Sequence, residues 1–316
     1  MASTFLSIIA ILGLHIGLAT AGTFTIPDWL MKSCFFVMKG TDAIGTGFLV
    51  GVQDQDRTFY YFVTAKHVIV PALTDSKVLH LRLNKKGGNG ADVVDFPLIT
   101  FEGKPWLEHE KSVVDLAVVP LAIGNKINDY DVNLISADTP TSDAFATQSF
   151  ISRFKIRPGD RAFTLGLVPY LFSKDEKNIV MTRSGSISMI DDHELSLPGG
   201  KQKAYFLDSP SFPGQSGGPA FVLLERNEAG DLIAGWRIAL LGVVTQFVPS
   251  PLRFGFAMTE SNQQALIPLE NTGISKIVPV DYLTEILFSE KQKDFRKSIA
   301  EENTRNSEEH QKDKKK

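Results

Sequence analysis

The sequence predicts an all-β protein. Three observations carry that expectation. The apolar segments are only four to seven residues long, they are rich in β-branched and aromatic types, and they end in Gly, Asp, Asn or Lys clusters. The chain has 316 residues, enough for two core-forming units at roughly 150 residues each. Hydrophobic residues make up 43% and charged residues 22%, which excludes a disordered, collagen-like or coiled-coil chain. With 33 Lys+Arg against 36 Asp+Glu the net charge is −3, so no basic field is available for nucleic acid. The single cysteine, Cys34, excludes an internal disulfide and a cysteine-based metal centre. It reads as a small buried hydrophobe.

The elements follow in chain order. Phe5 to Leu18 is almost wholly apolar and runs into Ala19-Thr20-Ala21, the pattern of a secretory signal peptide over residues 1–21. No Lys or Arg precedes Phe5, so an uncleaved membrane tether through residues 5–19 is the rival reading. That run is short for a span of about 20 residues and contains His15. The first reading makes the protein exported, periplasmic or secreted; the second leaves it membrane-anchored and facing outward.

Residues 22–135 are strand-rich. Phe35 to Met38, Gly47 to Gly51, Phe59 to Val63 and Val78 to Leu83 read as strands, and Gly87 to Gly90 as a turn. Residues 136–155 are polar and aperiodic, a linker between two halves. Residues 156–280 repeat the strand pattern at Ala162 to Gly166, Asn178 to Thr182, Ala204 to Leu207, Ala220 to Leu224, Ile238 to Thr245 and Gly255 to Met258. A helix is expected over 281–300, capped by Asp281, with Leu283, Ile286 and Leu287 on one face. From Glu290 onward there are nine Lys or Arg and seven Asp or Glu, and residues 301–316 read as a charged, disordered tail.

The most specific motif is Pro213-Gly214-Gln215-Ser216-Gly217-Gly218-Pro219. Glycines on both sides of a serine permit a tight turn that pushes its hydroxyl outward. They also let neighbouring N–H groups converge on one spot, which stabilises a developing oxyanion. The bland alternative is a glycine-rich hairpin. An activated serine needs a base, and the base needs an orienting acid. His67 ends the apolar run Phe62-Val63-Thr64-Ala65-Lys66-His67-Val68, and Asp115 lies inside Val113 to Val119. A carboxylate in an apolar run is costly unless partnered, although a strand-edge aspartate facing solvent is an equal reading of Asp115 alone. Chain order narrows the choice. A nucleophile elbow of the α/β-hydrolase type runs Ser, acid, His, but the only histidine after Ser216 is His310 in the charged end. The order His67, Asp115, Ser216, with spacings of 48 and 101 residues, is that of chymotrypsin.

On these residues, together with Gly45-Thr46-Gly47-Phe48-Leu49-Val50, Thr272-Gly273 and Ile277-Val278-Pro279-Val280-Asp281, the chain resembles the trypsin-like (chymotrypsin-fold) serine peptidases over roughly residues 33–288. It is most similar to the disulfide-free bacterial type that includes the HtrA/Deg protease unit. The resemblance implies two six-stranded antiparallel β-barrels, over 22–135 and 156–280, with a C-terminal helix. It implies Ser216 as nucleophile, His67 as general acid/base, Asp115 as orienting carboxylate, and an oxyanion hole from the N–H groups of Gly214 and Ser216. The reaction would be hydrolysis of polypeptide substrates through an acyl-enzyme, with no metal and no cofactor. Gln215 stands where animal trypsins carry the aspartate that pairs with a new N-terminus, so no activation by cleavage is expected. The 28 residues after 288 leave no room for a PDZ domain. The primary pocket would be lined by Pro210, Phe212, Val244 and Thr245 and be apolar. A catalytically silent binding module of the same fold is the competing function.

Overall fold

The computed structural model describes residues 24–54, 56–74, 76–88, 90–101, 103–169, 176–250 and 270–313. The leader or tether expected over residues 1–21 and the strand expected at Gly255 to Met258 lie outside them.

After one helical turn, α1 (Asp28–Met31), come β1 (Cys34–Lys39), β2 (Asp42–Asp54), β3 (Arg57–Thr64), helix α2 (Lys66–Leu73), β4 (Val78–Asn84), β5 (Ala91–Pro97), β6 (Ala117–Leu121) and β7 (Ile135–Ala137). These strands form one curled sheet in the order β5-β4-β1-β2-β3-β6, with β7 added parallel to β2. The two end strands approach at an antiparallel bridge from Leu98 to Leu121, which brings the half-barrel round on itself. The second unit holds α3 (Gln148–Arg153), β8 (Arg161–Leu167), β9 (Val180–Met189), the small hairpin β10 (Leu195–Leu197) and β11 (Gly200–Gln202), β12 (Tyr205–Asp208), β13 (Pro219–Arg226), β14 (Leu232–Ser250) and β15 (Glu270–Pro279). Six of them close into an antiparallel barrel, β12-β15-β14-β13-β8-β9.

Strand alternation explains the cores. On β3, Phe62 faces the interior of the first sheet while Tyr61 and Val63 face the second unit. On β13, Ala220, Val222 and Leu224 fill the second barrel while Phe221 and Leu223 face the first unit. Both faces of these strands are therefore buried, and their sequences are continuous apolar runs instead of alternating ones. The shared layer joins Phe48, Tyr61, Val63 and Val118 of one unit to Phe163, Leu165, Phe221 and Leu240 of the other, with Leu283 and Leu287 beneath. It fixes the line along which the site is built.

The C-terminus differs from expectation. Two helices, α4 (Val280–Leu287) and α5 (Glu290–Asp313), replace one, and α5 extends into the segment expected to be a disordered tail. Ser289 starts the second helix, its Oγ accepting from the Gln292 N–H at 3.3 Å, with Glu290 in the first turn. Helix α5 is pinned to the first unit by Arg296, which is 2% exposed. Its Nε donates to Asp54 at 2.8 Å and its Nη1 to the Leu287 carbonyl at 2.7 Å. Asp281 does not cap α4, where Pro279 takes that position. Its carboxylate instead accepts from the N–H of Gln148, the first residue of α3, at 2.9 Å. Burial pushes the Asp281 carboxyl up, and that hydrogen bond offsets part of the rise.

Candidate functional site

The first unit supplies a histidine and an aspartate. Strand β3 ends at Thr64, and His67 sits on the first turn of α2, not at a strand end. The run Val68-Ile69-Val70 favours a strand by propensity, but Val68, Ile69, Ala72 and Leu73 form one buried helical face and packing wins. Asp115 lies in the loop before β6. Its Oδ1 accepts from the His67 backbone N–H at 2.9 Å, and its Oδ2 stands 2.7 Å from His67 Nδ1. Lys66 holds this loop in place, donating to the Ser112 carbonyl at 2.6 Å and pairing with Glu108 at 3.6 Å.

Burial alone would push the Asp115 carboxyl up. The hydrogen bonds and charge of His67, and the charge of Lys276, outweigh it and hold the carboxyl below its ordinary value. Lys276, on β15, is only 9% exposed. Burial pushes its ammonium down, and the attraction of Asp115 recovers part of that loss. Because the value in the folded chain is lower than in the unfolded chain, the ammonium destabilises the protein most at neutral pH. That destabilisation vanishes as pH rises past the ordinary lysine value of 10.5. Lys276→Met is therefore expected to raise unfolding stability by about 1 kcal/mol at pH 7. The gain over the parent closes at alkaline pH, and denaturant titrations across pH check it.

The second unit supplies the serine loop between β12 and β13. The Gln215 N–H donates to the Phe212 carbonyl at 3.0 Å, and the Phe212 N–H donates back to Gln215 Oε1 at 2.9 Å, which closes a tight turn. Gly214 has φ +96°, and a Cβ there would stand 2.2 Å from Pro169 Cδ. The first unit clamps the loop: Thr46 Oγ1 donates to the Gly214 carbonyl at 2.6 Å, and the Thr46 N–H donates to the Ser216 carbonyl at 2.9 Å. The N–H groups of Gln215, Gly217 and Gly218 are satisfied within the protein. Those of Gly214 and Ser216 have no acceptor among the described residues. Two unused donors, one on the serine itself and one two residues before it, are what an incoming oxyanion requires.

Ser216 Oγ donates to the Thr245 carbonyl at 3.1 Å. Among the described residues no hydrogen bond joins it to His67. Apo sites often hold such contacts long or misaligned, and rotation about the serine Cα–Cβ bond redirects the hydroxyl. Of the residues expected to line a pocket, Pro210 and Phe212 are half-buried and Thr245 is buried beside the serine. Val244 belongs to the core of the second barrel. Among the described residues no cluster of three or more His, Cys, Asp or Glu could hold a metal ion. Cys34 is buried, and burial pushes its thiol up to about 12. Sequence reasoning missed Thr46, Lys66 and Lys276. Thr46 carried a weak signal through its place in Gly45-Thr46-Gly47, and the other two carried none.

No curated protein is similar enough in sequence to match. Two solved structures illustrate the likeness. The protease domain of MamO from Magnetospirillum magneticum in its apo form is 16% identical, covering 82% of this chain and 97% of its own at a TM-score of 0.44. An inactive mutant form of Rv3671c from M. tuberculosis H37Rv is 14% identical, covering 82% and 87%, at a TM-score of 0.36. The model of the trypsin-like peptidase domain matches residues 45–230, more than half of the sequence, and the chain belongs to that family.

Proposed function

We propose that this protein is a serine endopeptidase, with residues 1–21 as its export leader. The observation that carries the reading is the doubly bonded pair of His67 and Asp115 in one unit, together with a serine loop in the other whose Gly214 and Ser216 N–H groups have no acceptor among the described residues. Asp115 fixes His67 with a proton on Nδ1, which leaves Nε2 as the base. Ser216 Oγ gives its proton to Nε2 and forms a bond to the scissile carbonyl carbon. The carbonyl oxygen becomes an oxyanion held by the N–H groups of Gly214 and Ser216. Collapse breaks the C–N bond, and His67 returns the proton to the leaving amine. Water then attacks the acyl ester by the same route.

The bond from Ser216 to the Thr245 carbonyl favours a second reading, a silent binding module whose hydroxyl never reaches the base. A fluorophosphonate probe separates the two, because it reacts only with a serine activated by a base and assisted by an oxyanion hole. Stoichiometric labelling of the parent, lost in both Ser216→Ala and His67→Ala, is the expected result. An unlabelled parent that is folded would establish the binding module.

A further inference from the structure

Resting on the peptidase reading, we infer that Arg183 makes the primary specificity pocket a site for an acidic side chain, so that the enzyme cleaves after Glu or Asp. Arg183 lies on β9, paired with Thr164 of β8. Thr164 is buried and shares its side of β8 with Ala162, a residue of the barrel core, so Arg183 points inward, toward the end of the barrel where the serine loop sits. Its guanidinium carbon stands 4.2 Å from the centroid of the Phe212 ring. Phe212 is four residues before Ser216 and is tied to Gln215 by two hydrogen bonds. The positive charge is therefore built against the loop that carries the nucleophile.

That charge has no counterpart among the described residues. Among the described residues Arg183 makes no ion pair, and its only hydrogen bond runs from Nη2 to the Met181 sulfur at 3.2 Å, a weak acceptor. Its Nε is buried without a partner. The contact with Phe212 is a cation–π one, which uses none of the guanidinium's N–H groups as a hydrogen-bond donor to oxygen or nitrogen. A second orphan lies close by. Ser209 is 1% exposed, its Oγ has no partner, and a Cβ built on Gly185, two residues along β9 from Arg183, would stand 3.1 Å from the Ser209 Cβ. The buried Nε–H of Arg183 and the buried hydroxyl of Ser209, both able to donate, call for one acceptor. A carboxylate satisfies both and neutralises the charge; an apolar side chain leaves two unpaired donors.

The test uses the purified full chain and two kinds of probe. A simple fluorophosphonate with no side chain reports whether Ser216 is activated. Peptidyl phosphonates identical except for Glu, Gln or Leu at the position before the scissile bond report the pocket. The expected result is labelling by the simple probe, with Glu reacting about 10- to 100-fold faster than Gln, the range of a charge-assisted hydrogen bond. In Arg183→Leu the Glu-to-Gln ratio falls to about 1, and in Arg183→Lys it stays above 1, since the charge survives without the fork. Labelling by the simple probe with Gln or Leu equal to or faster than Glu overturns the inference and leaves the peptidase reading intact. So does a ratio that persists in Arg183→Leu. If the simple probe does not label the folded parent, the peptidase reading fails and the inference falls with it.

Discussion

Asp115→Asn is expected to lower kcat about 10⁴-fold with KM little changed. The reason lies in the two bonds Asp115 accepts from one residue, from the His67 backbone N–H at 2.9 Å and across 2.7 Å to Nδ1. An amide has one oxygen. If that oxygen keeps the backbone N–H, the NH₂ group faces Nδ1 and forces it to accept. The imidazole proton then sits on Nε2, where the serine proton should go. The geometry survives and the base is lost. Steady-state kinetics on an active-site-titrated enzyme checks the number. The variant also changes acid stability. The parent carboxyl is held below its ordinary value, so its contribution is fully present above the usual carboxylate range and is lost as pH falls through the lowered value. The asparagine variant lacks that component of acid sensitivity. A loss of only a few-fold in kcat would mean that Asp115 does not set the tautomer.

His67, Asp115 and Ser216, the residues proposed as a triad, could be picked out of the sequence because the chemistry proposed for them is compressed into short strings and a fixed order. The strand pattern was readable because β6 and the central parts of β3, β13 and β14 are buried on both faces and are apolar runs there. What escaped was set by through-space packing. His67 read as the end of an apolar strand because the run before it is aromatic and β-branched, yet β3 stops at Thr64 and His67 sits on α2, whose buried face packs into the first core. The expected helix over 281–300 contains Gln292, Phe295 and Arg296, and Phe295 and Arg296 dock α5 on the first unit; what escaped was the break between α4 and α5 and the run of α5 to Asp313, because charged residues dominate 301–316. Arg183 gave no signal at all. It stands among small polar residues in Thr182-Arg183-Ser184-Gly185, and only its stack against Phe212, 29 positions later, sets it apart. Lys276 reads as one more strand lysine until the fold carries it to Asp115.

Gly217→Ala is expected to cost about 3 kcal/mol of stability and to abolish probe labelling, which tests how the two units jointly hold the serine loop. Gly217 is pinched between them. Its N–H donates to the Val244 carbonyl of the second barrel at 2.7 Å. On the other side a Cβ would fall 2.0 Å from the Thr46 carbonyl oxygen and 2.1 Å from Thr64 Oγ1. Those atoms cannot swing aside. Both threonines are fully buried, and Thr64 Oγ1 donates to that same Thr46 carbonyl at 2.6 Å. The methyl group must therefore push the loop off the first unit, and the displaced segment carries both Ser216 and the N–H of Gly214. Part of the cost is backbone strain, because φ is +89°. Gly230→Ala isolates that part. It has φ +101° with nothing within 4 Å of the added Cβ, and its loss should be only about 1 kcal/mol with labelling retained. Denaturant titration of both variants beside the parent separates strain from contact. Equal losses would mean that the glycine is needed for its backbone angle alone, and that the clamp from Thr46 and Thr64 does not position Ser216.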